Sequence, residues 1–470
     1  MFKRKFFPIL ALSLIAITSF CSSAKEGYHI KVNVSGVQDT TSLLAYYFGD
    51  KQYVQDTVYI DSEGNFEFVG EEKLDRGMYM IVLPENKFFD IIIDKNQHFE
   101  IRTNIEEIIK NIKFINSPQN QSFYNYLKEI EPIGESMLAL REKIENTDTN
   151  SEEYLELQDQ YKQQEEKMQE IKEEYISSFP DGLFTAVLKA QEQVPMPEPQ
   201  LKADGTPDRE SMYNQYLEDY WKNIDLTDER LIRTPIYNQK LEHFFKSVVI
   251  QIPDSIISAA DKLIEKTRDS KEMFQYTVWF VMNLSDRSNV MGMDALFVHM
   301  AENYYNTDDA FWVSEEQKEK IAKRAETLKP LLIGAVAPDI EVFTPEKNTK
   351  SLHEVDAKYT VLYFWDSECS HCKKVTPALH EVYEKIEKKG LEVFAMNVEM
   401  DREKWLDAVD KYELSWINVH DPANQSGFRD IYDIYSIPIM YVLDKDKKIL
   451  AKKINPEQLE DLINHLESKN

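Results

Sequence analysis

Cysteine is nearly absent from this chain. There are three in 470 residues, at positions 21, 369 and 372. So few exclude a scaffold stapled by disulfides, because one chain could close only one pair. Glycine is scarce too, at 13 residues, and no Gly-rich phosphate loop of the Walker or Rossmann kind occurs. Basic residues are outnumbered, 55 Lys and Arg against 83 Asp and Glu, for a net charge of -28. A chain this acidic repels phosphate backbones, so no nucleic acid is expected as a partner. The plain meaning of the charge is a solvated acidic surface. Beyond the N-terminus no stretch approaches the roughly 18 apolar residues that a membrane span needs. What remains is 42% hydrophobic and 12% aromatic. That is enough for packed cores, and the length suggests about three domains.

Residues 1–24 read as an export signal. Lys3, Arg4 and Lys5 precede an apolar run from Phe6 to Ile17, and small residues follow. Two fates compete for this segment. Cys21 is a candidate lipidation site, although Phe20 stands where a small residue usually precedes a lipidated cysteine. Alternatively, Ser22 and Ala24 offer a small-x-small cleavage site. Both fates place the mature chain outside the cytoplasm, facing the periplasm of a cell envelope, with a lipid anchor in the first case only.

Three domains follow. Residues 26–115 carry short segments rich in β-branched and aromatic residues: 28–34, 42–47, 54–60, 65–69, 78–83, 88–93 and 98–103. Turn signals such as Asp61-Ser-Glu-Gly64 bound them. This pattern predicts an antiparallel β-sandwich. Residues 118–330 predict an α-helical domain. It begins with long helices over 119–179, where Tyr154, Leu157, Tyr161, Met168, Ile171 and Tyr175 recur at helical spacing. After a proline-rich loop at 195–199 come amphipathic segments at 211–223, 237–250, 254–267, 272–285, 291–305 and 314–328. Residues 334–470 alternate strands and helices, as an α/β domain does. Tyr359–Trp365 is a continuous apolar strand, the helix after it opens at the cysteine pair, and Gly427–Tyr435 reads as helical.

The chemistry lies in Cys369-Ser370-His371-Cys372. A thiolate, not a thiol, attacks a disulfide. The first turn of a helix offers unpaired N–H groups and the positive end of the dipole, which favour a thiolate on Cys369. Cys372 lies one turn on, within reach to resolve a mixed disulfide. Other readings are a buried structural pair or a zinc site, although zinc needs about four ligands and only two cluster here. A haem-attachment motif would need histidine at 373, which is Lys373. No cofactor is required for dithiol exchange. A charged or hydrogen-bonding His371 would further stabilise the Cys369 thiolate.

These residues resemble the thioredoxin superfamily. The resemblance is carried by Phe364-Trp365-x-x-x-Cys369-x-x-Cys372, by Pro377, and by Ile437-Pro438. It implies a thioredoxin-like fold in which Pro377 kinks the active-site helix. It further implies that Pro438 is cis beside the cysteines and that the Ile437 backbone, with Trp365, meets the substrate chain. The interval from Cys372 to Pro438, with an added helix and strand at 402–412 and 416–420, is similar to TlpA/ResA-type envelope oxidoreductases, as is Gly334-Ala-Val-Ala-Pro338. Segments such as Asp56–Phe66 and Arg233–Tyr237 resemble N-terminal domains of unknown function on Bacteroidetes envelope proteins. There are departures. Tyr363 replaces the buried acid of thioredoxin and Glu368 replaces the usual tryptophan. Asp366 and Glu368 are therefore candidate proton acceptors for Cys372, against the plainer reading of loop acids. His371 in that slot is familiar from DsbA-type oxidases.

The expected function is a thiol-disulfide oxidoreductase, a protein disulfide reductase. It would exchange electrons between Cys369/Cys372 and disulfides or dithiols of envelope proteins, recharged by a membrane thiol donor. The alternatives are an oxidase or isomerase of the same chemistry, or an envelope binding protein with an accessory redox centre. No Pro-x-x-x-Thr/Ser-x-x-Cys peroxidase motif precedes either cysteine.

Overall fold

The computed structural model describes residues 27–468 apart from positions 289 and 435. The export signal and Cys21 lie outside the described residues. The chain divides into two compact units. One runs up to Gln191 and includes Arg233–Ile236, and the other comprises Glu192–Ile232 and Tyr237 onward.

The first unit is built on two four-stranded sheets. Strands β1 (Tyr28–Ser35), β2 (Thr40–Phe48), β3 (Lys51–Ile60), β4 (Asn65–Gly70), β5 (Gly77–Val82), β6 (Phe88–Ile93), β7 (His98–Asn104) and β8 (Lys113–Ile115) form the orders β4-β1-β7-β8 and β3-β2-β5-β6. Alternate residues point inward: Ile30, Val32 and Val34 from β1 join Ile81 from β5 and Ile91 and Ile93 from β6 in one shared core. All pairings are antiparallel except β1 with β7, which run parallel in a departure from the expected antiparallel sandwich. The helices Pro118–Glu145 and Glu152–Ser178 form a hairpin, and the first is tied to β6. Asn120 accepts the Ile92 N–H at 2.7 Å and donates to the Ile92 carbonyl at 2.8 Å.

The second unit joins most of the helices that follow Gln191 to the C-terminal α/β domain. Its helices include Arg209–Asp219, Pro253–Lys266, Lys271–Arg287, Asp294–Met300 and Glu315–Leu328. Each falls within one of the amphipathic segments or overlaps it closely. The long helical stretch of the sequence is thus shared between the two units. Among the described residues, no helix is long and apolar enough to cross a membrane.

The C-terminal sheet has seven strands: β9 (Glu341–Phe343), β10 (Thr349–Ser351), β11 (Tyr359–Trp365), β12 (Leu391–Asn397), β13 (Ile417–His420), β14 (Ile439–Asp444) and β15 (Ile449–Lys452), in the order β10-β9-β13-β12-β11-β14-β15. β11, β12 and β13 run parallel, and β14 runs antiparallel to β11. Two cores flank this sheet. Val361, Tyr363 and Trp365 face the helix Cys372–Ile386, while Leu362 and Phe364 face Phe428 and Tyr432. The expected helix over 427–435 is one turn only, Phe428–Ile431. Asp433 sits at φ 51° and cannot continue it.

Candidate active site

β11 delivers the site. Every residue from Tyr359 to Trp365 is buried, because helices or strands cover the strand on all sides. The apolar run stops at Asp366, which organises the loop to the cysteines. Its Oδ1 accepts the Glu368 N–H at 2.7 Å and its carbonyl accepts the Cys369 N–H at 3.3 Å. The chain then enters the helix Cys372–Ile386, and the Lys373 N–H donates to the Cys369 carbonyl at 3.0 Å. That helix buries Cys372, Thr376, Leu379, Tyr383 and Ile386, a stripe of three- and four-residue steps against the sheet.

The two sulfurs have opposite environments. Cys369 is partly exposed and Cys372 is fully buried, and both are free thiols. Cys369 Sγ accepts the Cys372 N–H at 3.5 Å. Burial pushes the Cys369 thiol up, but hydrogen bonds from the Cys372 N–H and thiol and from the His371 N–H outweigh it. The net pKa lies below the ordinary value, even though the Asp366 carboxylate works the other way. For Cys372 burial dominates and pushes the thiol up to about 12. The Asp366 N–H opposes this, whereas the hydrogen bond to Cys369 and the charges of Cys369 and Asp366 add to it.

The sequence-predicted site residues are distributed around this pair. His371 is exposed at the head of the helix. Its imidazole makes no hydrogen bond among the described residues, and its backbone N–H is the group that reaches Cys369. Trp365 is 1% exposed and stacks on Tyr363, with ring centroids 6.4 Å apart. Tyr363 donates to or accepts from Thr376 Oγ1 at 2.9 Å, and burial holds its phenol far above the ordinary pKa, so it stays neutral. The Ile437–Pro438 bond is cis. It immediately precedes β14, whose Ile439 is in register with Phe364, so this loop enters beside the strand end that carries the cysteines. Ile437 and Cys369 both pack against the core on the Cys372 side. Pro377 lies within the helix. Glu368 is exposed and its carboxylate is 3.4 Å from Lys373 Nζ.

Three polar residues of the site were not singled out in the sequence. Thr376 had a signal, lying four residues after Cys372 and so on the same helical face. Ser367 and Asn397 carry buried polar atoms with no protein partner, as does the Trp365 indole nitrogen. Asn397 is the polar end of a strand whose residues 393–396 are apolar.

Comparison with known proteins bears on this geometry. The AhpC/TSA family matches residues 333–452. The C-terminal domain is a thioredoxin-like domain of that family. Ahead of it, residues 28–123 match the domain of unknown function DUF4369 and residues 156–330 match DUF5106. The thioredoxin-like domain is homologous to the thiol-disulfide oxidoreductase ResA of Bacillus cereus, with 27% identity over 135 residues, which cover 29% of this chain and 77% of the relative. Among solved structures, a domain of a possible thiol-disulfide isomerase from Cytophaga hutchinsonii is 41% identical. The match covers 30% of this chain and 96% of that one, with a TM-score of 0.29. A thioredoxin-like protein from Bacteroides caccae is 19% identical over 58% of this chain and 99% of that one, with a TM-score of 0.48. The homology to ResA supports general thiol-disulfide redox activity for the thioredoxin-like domain.

Proposed function

We propose that the chain is a protein disulfide reductase of the cell envelope, with Cys369 as the attacking sulfur and Cys372 as the resolving one. The observation that carries this reading is the asymmetry of the pair. Cys369 is partly exposed with a lowered pKa, and Cys372 is buried with its thiol pushed up to about 12. An exposed thiolate meets the substrate disulfide first, and a buried thiol one helical turn on closes the internal disulfide. Two electrons pass from the dithiol to the substrate.

The reducing direction is supported by what opposes thiolate formation. Strong oxidants of this chemistry owe their potential to a stabilised reduced state. Here the lowered Cys369 pKa favours one thiolate, but burial pushes the Cys372 thiol up to about 12 and the Asp366 carboxylate acts against both sulfurs. The oxidase reading draws on His371 in the dipeptide, but its ring makes no hydrogen bond among the described residues. Partners on this reading are disulfides or dithiols of envelope proteins, with a membrane thiol as electron donor, and the N-terminal signal supplies the location.

The test is a Cys372→Ser variant of the exported chain. It is expected to accumulate mixed disulfides through Cys369 with envelope proteins, identified by mass spectrometry. Equilibration of the native chain against a thiol couple should give a potential near about -270 mV, the reducing end. A value near about -120 mV would replace the reductase with the oxidase, and no trapped partner would remove both.

A further inference from the structure

The helical part of the second unit holds a cavity of about 740 Å³ that contains none of the residues of the cysteine site. Its size falls within the range of about 300–1,000 Å³ usual for small-molecule sites. Its walls explain why it is open. The helix Arg209–Asp219 forms one side and buries no residue. Polar contacts hold it in place instead. The Asp208 carboxylate accepts the Ser211 N–H at 3.1 Å. The Tyr213 hydroxyl donates to the Val248 carbonyl at 3.2 Å and accepts the Ile250 N–H at 2.9 Å. The facing helix, Pro253–Lys266, lines the cavity with Ser255, Ser258 and Ala259, which are too small to fill the gap. Between the helices lies a buried apolar floor of Trp221, Phe244, Ala259 and Leu263. Trp221 and Phe244 meet edge to face with ring centroids 5.1 Å apart. Phe244 opens a π-helical turn, Phe244–Val248, in which the Val249 N–H donates to the Phe244 carbonyl at 2.9 Å. Such turns are frequent at functional sites.

The polar groups around this floor are sorted. Trp221 is 4% exposed, and its Nε1 is buried without a hydrogen-bond partner among the described residues. A buried donor left unpaired is costly and rare, so this one calls for an acceptor from outside the chain. Lys262 and Lys266 line the cavity one helical turn apart, exposed and without an ion pair among the described residues. Asp254 is at the other end of the same helix, about 12 Å from Lys262 at roughly 1.5 Å per residue. Glu265 is committed to Arg268 at 2.6 Å. Glu218, from the helix opposite, is the remaining carboxylate of the lining. The lining follows Pro253–Lys266 from Asp254 to Lys266, about 18 Å at the same rise, so the cavity is long and its cationic end is set by two ammonium groups.

We propose that this cavity binds a fatty-acid-like ligand, a carboxylate at the end of an extended aliphatic chain. The carboxylate pairs with Lys262 and Lys266, the chain lies on the apolar floor, and Trp221 Nε1 donates to a ligand oxygen. Glu218 weakens this binding, since it is a like charge on the rim. The site is separate from the dithiol exchange and does not depend on it.

Isothermal titration calorimetry of the full chain with dodecanoate tests this below the micelle concentration, with 1-dodecanol and dodecyltrimethylammonium as neutral and cationic probes of the same chain length. One dodecanoate should bind per chain, about tenfold or more tighter than either other probe, as hydrogen bonds to charged groups warrant. The double variant Lys262→Gln with Lys266→Gln, at two exposed positions, should bring dodecanoate within about threefold of dodecanol, the residue expected once charge assistance is gone. Glu218→Gln should tighten dodecanoate by roughly threefold, the scale of one exposed charge contact. Ser258→Trp, which fills the cavity from an exposed position, should abolish binding. Absence of dodecanoate binding to the native chain would overturn the proposal, and so would equal or tighter binding of dodecanol or dodecyltrimethylammonium. These comparisons need no variant, so they stand even if Ser258→Trp fails to fold. Unchanged dodecanoate binding by a folded Ser258→Trp chain would place the ligand elsewhere and overturn it too.

Discussion

The imidazole of His371 and its backbone N–H do different things. The N–H donates to Cys369 Sγ and helps lower its pKa, while the ring is exposed. The sequence directed attention to the ring. At the residue scale the structure moves the effect to the main chain, and that changes what a mutation should do. His371→Pro removes the N–H and is compatible with the local φ of -76°. It should lower the reduction potential by roughly 30 mV, equivalent to about 1.4 kcal/mol for two electrons. His371→Ala keeps the N–H and should shift the potential by less than half as much. Equal shifts in a glutathione equilibration would return the effect to the ring. The cysteines were legible because C-x-x-C at a strand-to-helix junction has few other uses. Ser367 and Asn397 were not legible, because a lone polar residue beside an apolar strand looks the same whether or not its side chain finds a partner.

At the element scale, legibility followed periodicity. β1 to β7 alternate or run apolar over enough residues to be read, whereas β8 spans Lys113–Ile115 with one buried position and has no period. β3 extends back to Lys51 through exposed polar residues, because pairing with β2, not burial, holds that end. The parallel β1–β7 pair was illegible for a related reason, since strand direction is set by long-range partners. The tie between β15 and the helix Asp294–Met300 was equally hidden. Lys452 is 3% exposed, pairs with Asp294, and donates to the Leu331 carbonyl at 2.5 Å. Burial lowers its pKa, and Asp294 opposes that. Removing one partner of a buried pair strands the other charge. Lys452→Met should therefore destabilise the chain by about 3 kcal/mol, and adding Asp294→Leu should recover more than half of the loss. Urea unfolding of the single and double variants checks this, and strictly additive losses would mean that the two charges are not coupled.

At the scale of the whole molecule, three family matches tile the chain, yet the compact units divide it differently, at Gln191 and Glu192. The α/β character of residues 334–470 was legible, because a buried parallel strand followed by a helix leaves a continuous apolar run. The sharing of the helices between two units was not, because an amphipathic face does not name its partner. The chemistry proposed for the chain comes down to two sulfurs with different surroundings. The most direct test is alkylation of the reduced full chain with iodoacetamide from pH 5 to 9, with each cysteine followed by mass spectrometry. The account predicts that Cys369 is modified first, with a midpoint below that of an ordinary thiol, and that folded Cys372 stays unmodified across the range. Modification of Cys372 first, or of both at one rate, would contradict it.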